Sequence, residues 1–591
     1  MVRRPLPLKW ALLFAALAAV LLGVPSRWHR AATPVAQAST FCVRAGGGSC
    51  FPTINAALAV AKPGDTIRVA TGTYYDNVVL TQSLTLQGGW NETFTVRDPS
   101  VYPSTLLPND SGTSVVSVQG QEGNWNAVAP TLEGFTITGG GGNLLLNAEG
   151  RAPEGIAHSG GLYITQSNAV VRNNVIAGNA SPFTGGGVLV YKGAPRIENN
   201  RIENNFITGG GFGAGLELES TDAVLVNNVI AYNQGTGPND TYGGGISISG
   251  GGTVRLERNT ISNNIANVVG RVGGGGGGIA LWDVNVVLSR NIIRNNTGSM
   301  NSDGLGGGLY ALESVITLAG DRIEENTASR NQVGSGGGIF AESSQITLDA
   351  VSVQDNASGI HADSQGGGFL FTMSTFTMTN ALVTQNASPS GGGIYATLGS
   401  GLVMNSTLMD NAGTGIRTDA GLKIVNSIIA GHSVGIRTES LSGVVPQVSY
   451  SNLHNSANTQ GFNLSGTTNL LVNPQLDASH HLLANSPMID AGTTAGAPSH
   501  DMDGDSRPKS GTSGQPRVDI GADEFGVEMT PTPTRTITAT PTRTPTITRT
   551  PTITRTPTNT ATRTPTRTAV ATSSPTNESH TLYLPLIRSK P

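Results

Sequence analysis

Aromatic side chains are scarce in this chain: Phe, Tyr and Trp make up 5% of its 591 residues, and charged residues make up only 13%. So few bulky rings cannot fill a wide globular core, which leaves a narrow core stacked from aliphatic side chains. Cysteine is nearly absent, with two in the chain, so neither a disulfide scaffold nor a multi-cysteine metal centre can be assembled. The apolar run over residues 10–24 has fifteen members, short of the about twenty that span a bilayer. Net charge is −4 overall, but residues 39–529 carry 22 basic against 38 acidic side chains, a net of −16. An acidic body of this kind is a poor partner for a phosphate backbone, so nucleic acid is not expected as a ligand.

What the chain has in excess is glycine, 79 residues, nearly twice the usual share. Down its middle an apolar residue is followed three positions later by asparagine, over and over. The asparagines are Asn179, Asn205, Asn233, Asn264, Asn296, Asn326, Asn356, Asn386 and Asn411, and His432 takes the place in a tenth copy. Their spacings of 26, 28, 31, 32, 30, 30, 30, 25 and 21 are irregular but never lost, and self-similarity at such a period indicates a solenoid. Segments such as Val224–Val226 and the residues after each glycine cluster alternate by two, not by three and four, so the units are strands. Three short strands per turn, stacked in parallel, give an all-β right-handed parallel β-helix. Glycine and asparagine tolerate the positive φ of tight corners. Asparagines stacked about 4.8 Å apart can also hydrogen-bond along the stack. The nine-member column is therefore structural, as is a second one at Asn174, Asn200, Asn228, Asn259 and Asn291 that passes to Asp321 and lapses at Val351.

The organisation along the chain follows from composition. Residues 1–38 read as an export signal: Arg3, Arg4 and Lys9, the apolar run, then Ala36-Gln37-Ala38 as a small-x-small cleavage site. Export makes a disulfide between Cys42 and Cys50 the expected state of that pair. Residues 39–140 form the N-terminal cap and first coils, with a helical pattern between Phe51 and Ala61 that would cover exposed strand edges. The stretch 51–89, followed by the glycine-apolar and Asn-Asn-x-Ile turns, resembles the opening of the pectin-lyase-like β-helix superfamily. That resemblance implies the fold for residues up to 465. It implies little about function, since the superfamily includes lyases, hydrolases, isomerases and adhesins.

Residues 466–526 read as a C-terminal cap, with three ordered blocks, at 485–492, 501–508 and 519–525, that resemble the C-terminal module called choice-of-anchor Q. A Thr/Pro-rich linker, 527–577, reads as a disordered, extended tether. Residues 578–591 resemble the sorting or anchoring tails of bacterial surface proteins, so membrane or wall attachment is expected through them. The expectation is a secreted or surface-displayed monomer.

Candidate sites come from the strands after the glycine clusters, where alternation points second and fourth residues outward. Tyr191, Trp282, Tyr310, Phe340 and Tyr395 then form an exposed aromatic face on which sugars could stack, making an extracellular polysaccharide or another surface component the expected partner. Catalysis would need a carboxylate pair, and Glu217 with Glu219, or Glu313 with Glu342, are the candidates. The Asn-Thr-Asp, Asp-Asp, Gly-His-Gly and Arg-Ile-Lys set of polygalacturonases is absent. Binding without catalysis is the first expectation, a polysaccharide lyase or glycoside hydrolase the second, and a passive rod the third. No cofactor is expected. Asp501, Asp503 and Asp505 alternate as calcium ligands do, but position twelve of that loop is Thr512 instead of glutamate.

Overall fold

The computed structural model describes residues 38–110, 112–142, 159–269, 273–438, 443–509 and 517–526. The export signal, apart from residue 38, lies outside them, as do the Thr/Pro linker and the tail.

The repeat builds three long parallel sheets of 15, 14 and 14 strands. One coil shows how. Asn285–Ser289 lies in sheet A, Ile292–Arg294 in sheet B and Leu309–Leu312 in sheet C, after which Val315–Ala319 re-enters sheet A. Register is strict, with Val286 above Ile316 and Ile293 above Ile323. Val286, Leu288, Ile293, Leu309 and Ala311 point inward and are buried, and their counterparts run through one continuous core. The expectation of three strands per coil holds, but between sheets B and C several coils add two shorter strands. These form a six-stranded sheet, including Thr297–Ser299, and a five-stranded sheet, including Gly304–Leu305.

Each corner of the coil uses one residue at positive φ followed by one that turns inward. Arg290, Asn295 and Glu313 take φ of 55, 54 and 51°; Asn291, Asn296 and Ser314 follow them and are buried. The two members of an Asn-Asn pair thus divide the labour. Asn204 takes the left-handed turn, and Asn205 belongs to the ladder. In that ladder Asn296 Nδ2 donates to Asn326 Oδ1 at 3.0 Å and to Ile261 O at 2.9 Å. Its Oδ1 accepts from Asn264 N and Nδ2, both at 3.0 Å. The file runs unbroken from Asn179 to Asn411. His432 continues it, with Nε2 3.2 Å from Asn411 Nδ2 and Nδ1 2.9 Å from Asn455 Oδ1. Burial holds the His432 imidazole below its ordinary pKa, which suits a neutral ring accepting at one nitrogen and donating at the other.

The second column ends its amides at Asp321 and passes through Val351, as the sequence indicates. It then resumes with serine, Ser406 N donating to Ser427 Oγ at 3.3 Å and Ser427 N to Ser451 Oγ at 3.2 Å. A third file, of Ser314, Ser344 and Ser374, holds the corner between sheets C and A.

Both ends are closed. The helix Ile54–Leu58 starts at Thr53, whose Oγ1 accepts from Ala56 N at 3.1 Å, and buries Ile54 and Ala57. Its anchor is Asp76, which accepts from Ile54 N at 2.9 Å. The Cys42–Cys50 disulfide is formed beside it. At the far end Phe462 and Leu464 pack on the core. The segment 466–526 does not sit only on that end, because Asn405 Nδ2 donates to Asp519 O, Asn426 Nδ2 to Thr493 O, and His500 Nε2 lies 2.9 Å from Asp349 Oδ2. It therefore flanks the last coils back to Asp349. Its own interior holds an ion pair, Arg507 with Glu524 at 2.8 Å, whose side chains are shielded from solvent.

Candidate functional site

The aromatic face expected from alternation is covered. Tyr310 and Phe340 do point out of sheet C, but they are 6% exposed. The five-stranded sheet, at Gly211–Phe212, Thr241–Tyr242, Gly274–Gly275, Gly304–Leu305 and Gly334–Ser335, brings further side chains against them. Tyr242 and Leu305 from this layer pack with Tyr310, Phe340 and Leu370 into a second, smaller core. Tyr310 and Phe340 stack with centroids 5.6 Å apart, Trp282 meets Tyr310 at 5.4 Å, and Tyr242 meets Trp282 edge-on at 5.1 Å. Alternation sets the direction of a side chain but not what lies above it. Glycines hold the covering layer close: a Cβ on Gly275 would lie 2.8 Å from the Tyr242 ring. Trp282 stays half-buried; Tyr191 and Tyr395 are half-buried too, under Lys192 at 4.9 Å and Arg417 at 4.7 Å. These five rings do not form one open platform.

The four candidate carboxylates separate in the same way. Glu217 is 3% exposed, while Glu219, two residues on, is open to solvent. Burial pushes the Glu217 carboxyl up to about 7, with nearby Glu219 adding to the rise, while the neighbouring Ser247 and Ser249 hydroxyls oppose it. Its Oε1 accepts from Ser249 Oγ at 3.3 Å, and its Oε2 has no hydrogen-bond partner. Glu313 is exposed and Glu342 half-buried, on consecutive coils joined by the Glu313 N to Glu342 O bond of 3.1 Å.

Open space lies beside the covered face, at the corner between sheets C and A. Asp283, Glu313, Ser343, Met373 and Leu398 occupy one corner position on successive coils, all with φ between 46 and 54°. The left-handed turn throws their side chains outward into a ridge, so that Met373 is 51% and Leu398 70% exposed. Along it runs a shallow groove of about 430 Å³, lined by Glu313, Ser314, Val315, Ser343, Ser344, Gln345, Met373 and Thr375. Only Glu313 of the four carboxylates reaches it. Sequence reading placed Glu313 near this face but missed the ridge. Its signal was the residue that follows each sheet C strand, which for Glu313, Ser343 and Met373 stands before an inward Ser.

The calcium candidates do not converge. Asp501 is buried and spends its oxygens on backbone amides, accepting from Asp503, Asp505 and Glu524 at 2.9, 2.8 and 3.0 Å. Asp503 turns to His481, and Asp505 pairs with Lys509.

With this geometry in view, a family model described as right handed beta helix region matches residues 131–283 and 239–401. The chain is a right-handed parallel β-helix. It is similar at 12% identity and TM-score 0.38 to the protein in a structure described as the complex of XylC with xylose, covering 83% of this chain and 99% of that one. A crystal structure of pectate lyase Pel9A is similar at 13% identity and TM-score 0.26, covering 83% and 96%. Similarity at this level speaks to neither substrate nor reaction. Comparison with curated proteins gives no significant match. Among the described residues no helix is long and apolar enough to cross a membrane.

Proposed function

We propose that this β-helix is an exported rod that binds a neutral polysaccharide, or a similarly hydroxyl-rich surface component, along the corner between sheets C and A, as a monomer and without chemistry. The groove itself carries the reading. Its lining offers hydroxyls, one amide and one carboxylate to sugar hydroxyls, with Met373 and Val315 for the apolar faces of the rings. Glu313, Ser343 and Met373 rise one coil at a time, about 4.8 Å apart, close to the length of one sugar residue in an extended glycan. No lining side chain is basic, so a polyuronate gains nothing there and is repelled by Glu313. Display would run through the linker and tail, 527–591.

Hydrolysis fits less well, because an acid–base pair needs two carboxylates about 5–9.5 Å apart and Glu313 is the one carboxylate in the lining. The observation that favours a hydrolase is Glu217, a buried acid poised near neutrality beside an exposed carboxylate. Its coil is three below that of Tyr310, on the order of 14 Å from the groove, and it lies under the covering layer.

Affinity electrophoresis in neutral and uronate polysaccharides separates the readings. Retardation in a neutral glycan is expected, and Glu313→Ala with Met373→Ala should reduce it at least tenfold while Glu217→Gln leaves it intact. Retardation unchanged in the double variant would remove the groove. New reducing ends that disappear in Glu217→Gln would establish the hydrolase instead.

A further inference from the structure

A second concentration of donor atoms lies in the segment flanking the rod. His481, Asp503 and Asp523 each bring one ligand atom to within 4.8 Å of the other two, and His481 Nε2 is already 2.9 Å from Asp503 Oδ2. The three come from separate stretches of chain, and each is held by its own backbone contacts. Asp477 Oδ1 accepts from Ser479 N and His481 N at 2.8 and 2.9 Å, fixing the turn that presents the imidazole. The same carboxylate lies 3.6 Å from His481 Nδ1, on the far side of the ring from Asp503. Asp523 is 8% exposed and accepts from Leu482 N at 2.7 Å through Oδ2. Asp503 N is tied to Asp501 Oδ1 at 2.9 Å. The nearby cations have other partners: Arg507 bonds Glu524 and the carbonyls of Gly521 and Ala522, and Lys509 bonds Asp505.

We propose that His481, Asp503 and Asp523 bind a divalent transition metal of the zinc class, tying together the three stretches that carry them. Zinc takes imidazole nitrogen and carboxylate oxygen at about 2.0–2.2 Å, and ligands around a tetrahedral ion then stand about 3.4 Å apart. To reach that spacing the His481–Asp503 pair, now at 2.9 Å, opens slightly, while the other pairs already lie within 4.8 Å. Calcium is a poor match, since it takes six to eight oxygens and this set has one nitrogen among three ligands. An Asp477 carboxylate facing Nδ1 favours the tautomer whose Nε2 lone pair points at the ion, the usual way a ligating histidine is oriented. His481 and Asp503 are partly open to solvent, which leaves room for a water as fourth ligand and a path for entry. The inference is independent of the groove.

Equilibrium titration of the full mature chain, free of any purification tag and stripped with chelator, tests it with zinc, manganese and calcium chlorides. One zinc per chain is expected at this site, bound at least tenfold more tightly than calcium. His481→Gln and Asp523→Asn should each weaken it tenfold or more, while His361→Gln, at an exposed histidine beside Asp363, should not. Should Asp523→Asn fail to fold, the half-exposed Asp503→Asn carries the same expectation. Zinc affinity unchanged in His481→Gln and Asp503→Asn, equal affinity for calcium, or no zinc bound by the parent chain would each overturn the site.

Discussion

Asp321 stands where the second polar file expects asparagine, and replacing it with asparagine should stabilise the protein at neutral pH. The carboxylate is fully buried; Oδ1 accepts from Asn291 N at 2.7 Å and Nδ2 at 2.8 Å, and Oδ2 from Ala319 N at 2.9 Å. Desolvation outweighs these bonds and pushes the carboxyl from 3.8 up to about 6. Because the folded value lies above the unfolded one, ionisation penalises the folded state. The penalty is absent below the unfolded value and complete above about pH 6, where it amounts to about 3 kcal/mol. Asparagine removes the charge and keeps the acceptor facing Asn291. It loses the bond from Ala319 N, at about 1 kcal/mol. It gains a donor aimed as Asn291 Nδ2 is aimed at Leu256 O. The net gain is about 2 kcal/mol at pH 8. Urea unfolding of parent and Asp321→Asn at pH 4 and pH 8 isolates this term, since other titrating groups cancel in the difference between the two proteins. The advantage of the variant should grow by about 2–3 kcal/mol from pH 4 to pH 8. A difference independent of pH, or largest at pH 4, would refute the reasoning.

Asn296→Ala should cost about 3–5 kcal/mol, because it leaves Asn264 N and Ile261 O buried without their partners; hydrogen exchange should report the loss in the coils on either side of it. Gly275→Ala would set a methyl 2.8 Å from the Tyr242 ring and 3.3 Å from that of Tyr310, costing about 1–3 kcal/mol of overpacking. That strain should loosen the covering layer and raise exchange at 241–243 and 274–276, with the sheet A amides unchanged.

The sequence carried the rod and its inner files because both depend on what repeats. An inward Ile at 261, 293 and 323, with the asparagine three places on, announces its position once per coil, and the register follows. Asp321 and His432 were legible for the same reason, as the members that break a column. The serine files were not, since Ser314 and Ser406 belong to a residue type that occurs anywhere. The covered face was missed because its cover comes from stretches such as 208–213 and 236–243, whose lengths vary from coil to coil and whose glycines carry no alternation. Tyr310 and Phe340 were assigned the correct side of sheet C and the wrong environment. His481 and Asp523 lie 42 positions apart in a segment without a repeat, so nothing in their spacing announces that they meet.

The same contrast decides where a ligand can sit. Sheet C cannot be the binding face over the coils that have the fifth sheet, because Tyr242 and Leu305 already occupy the surface that the rings would offer. The corner after it escapes, since one residue at positive φ and one more (Val284, Ser314, Ser344, Ser374 or Gly399) lead straight into the next sheet A strand and leave no loop to fold over it. What that corner exposes is therefore set one coil at a time by the residue in the left-handed position: Asp283, Glu313, Ser343, Met373, Leu398. This gradient, acidic at one end and apolar at the other, gives the groove a direction along the rod. A bound glycan would meet carboxylate first and thioether two coils later, so exchanging Glu313 and Met373 should reverse its preferred polarity without altering the core beneath.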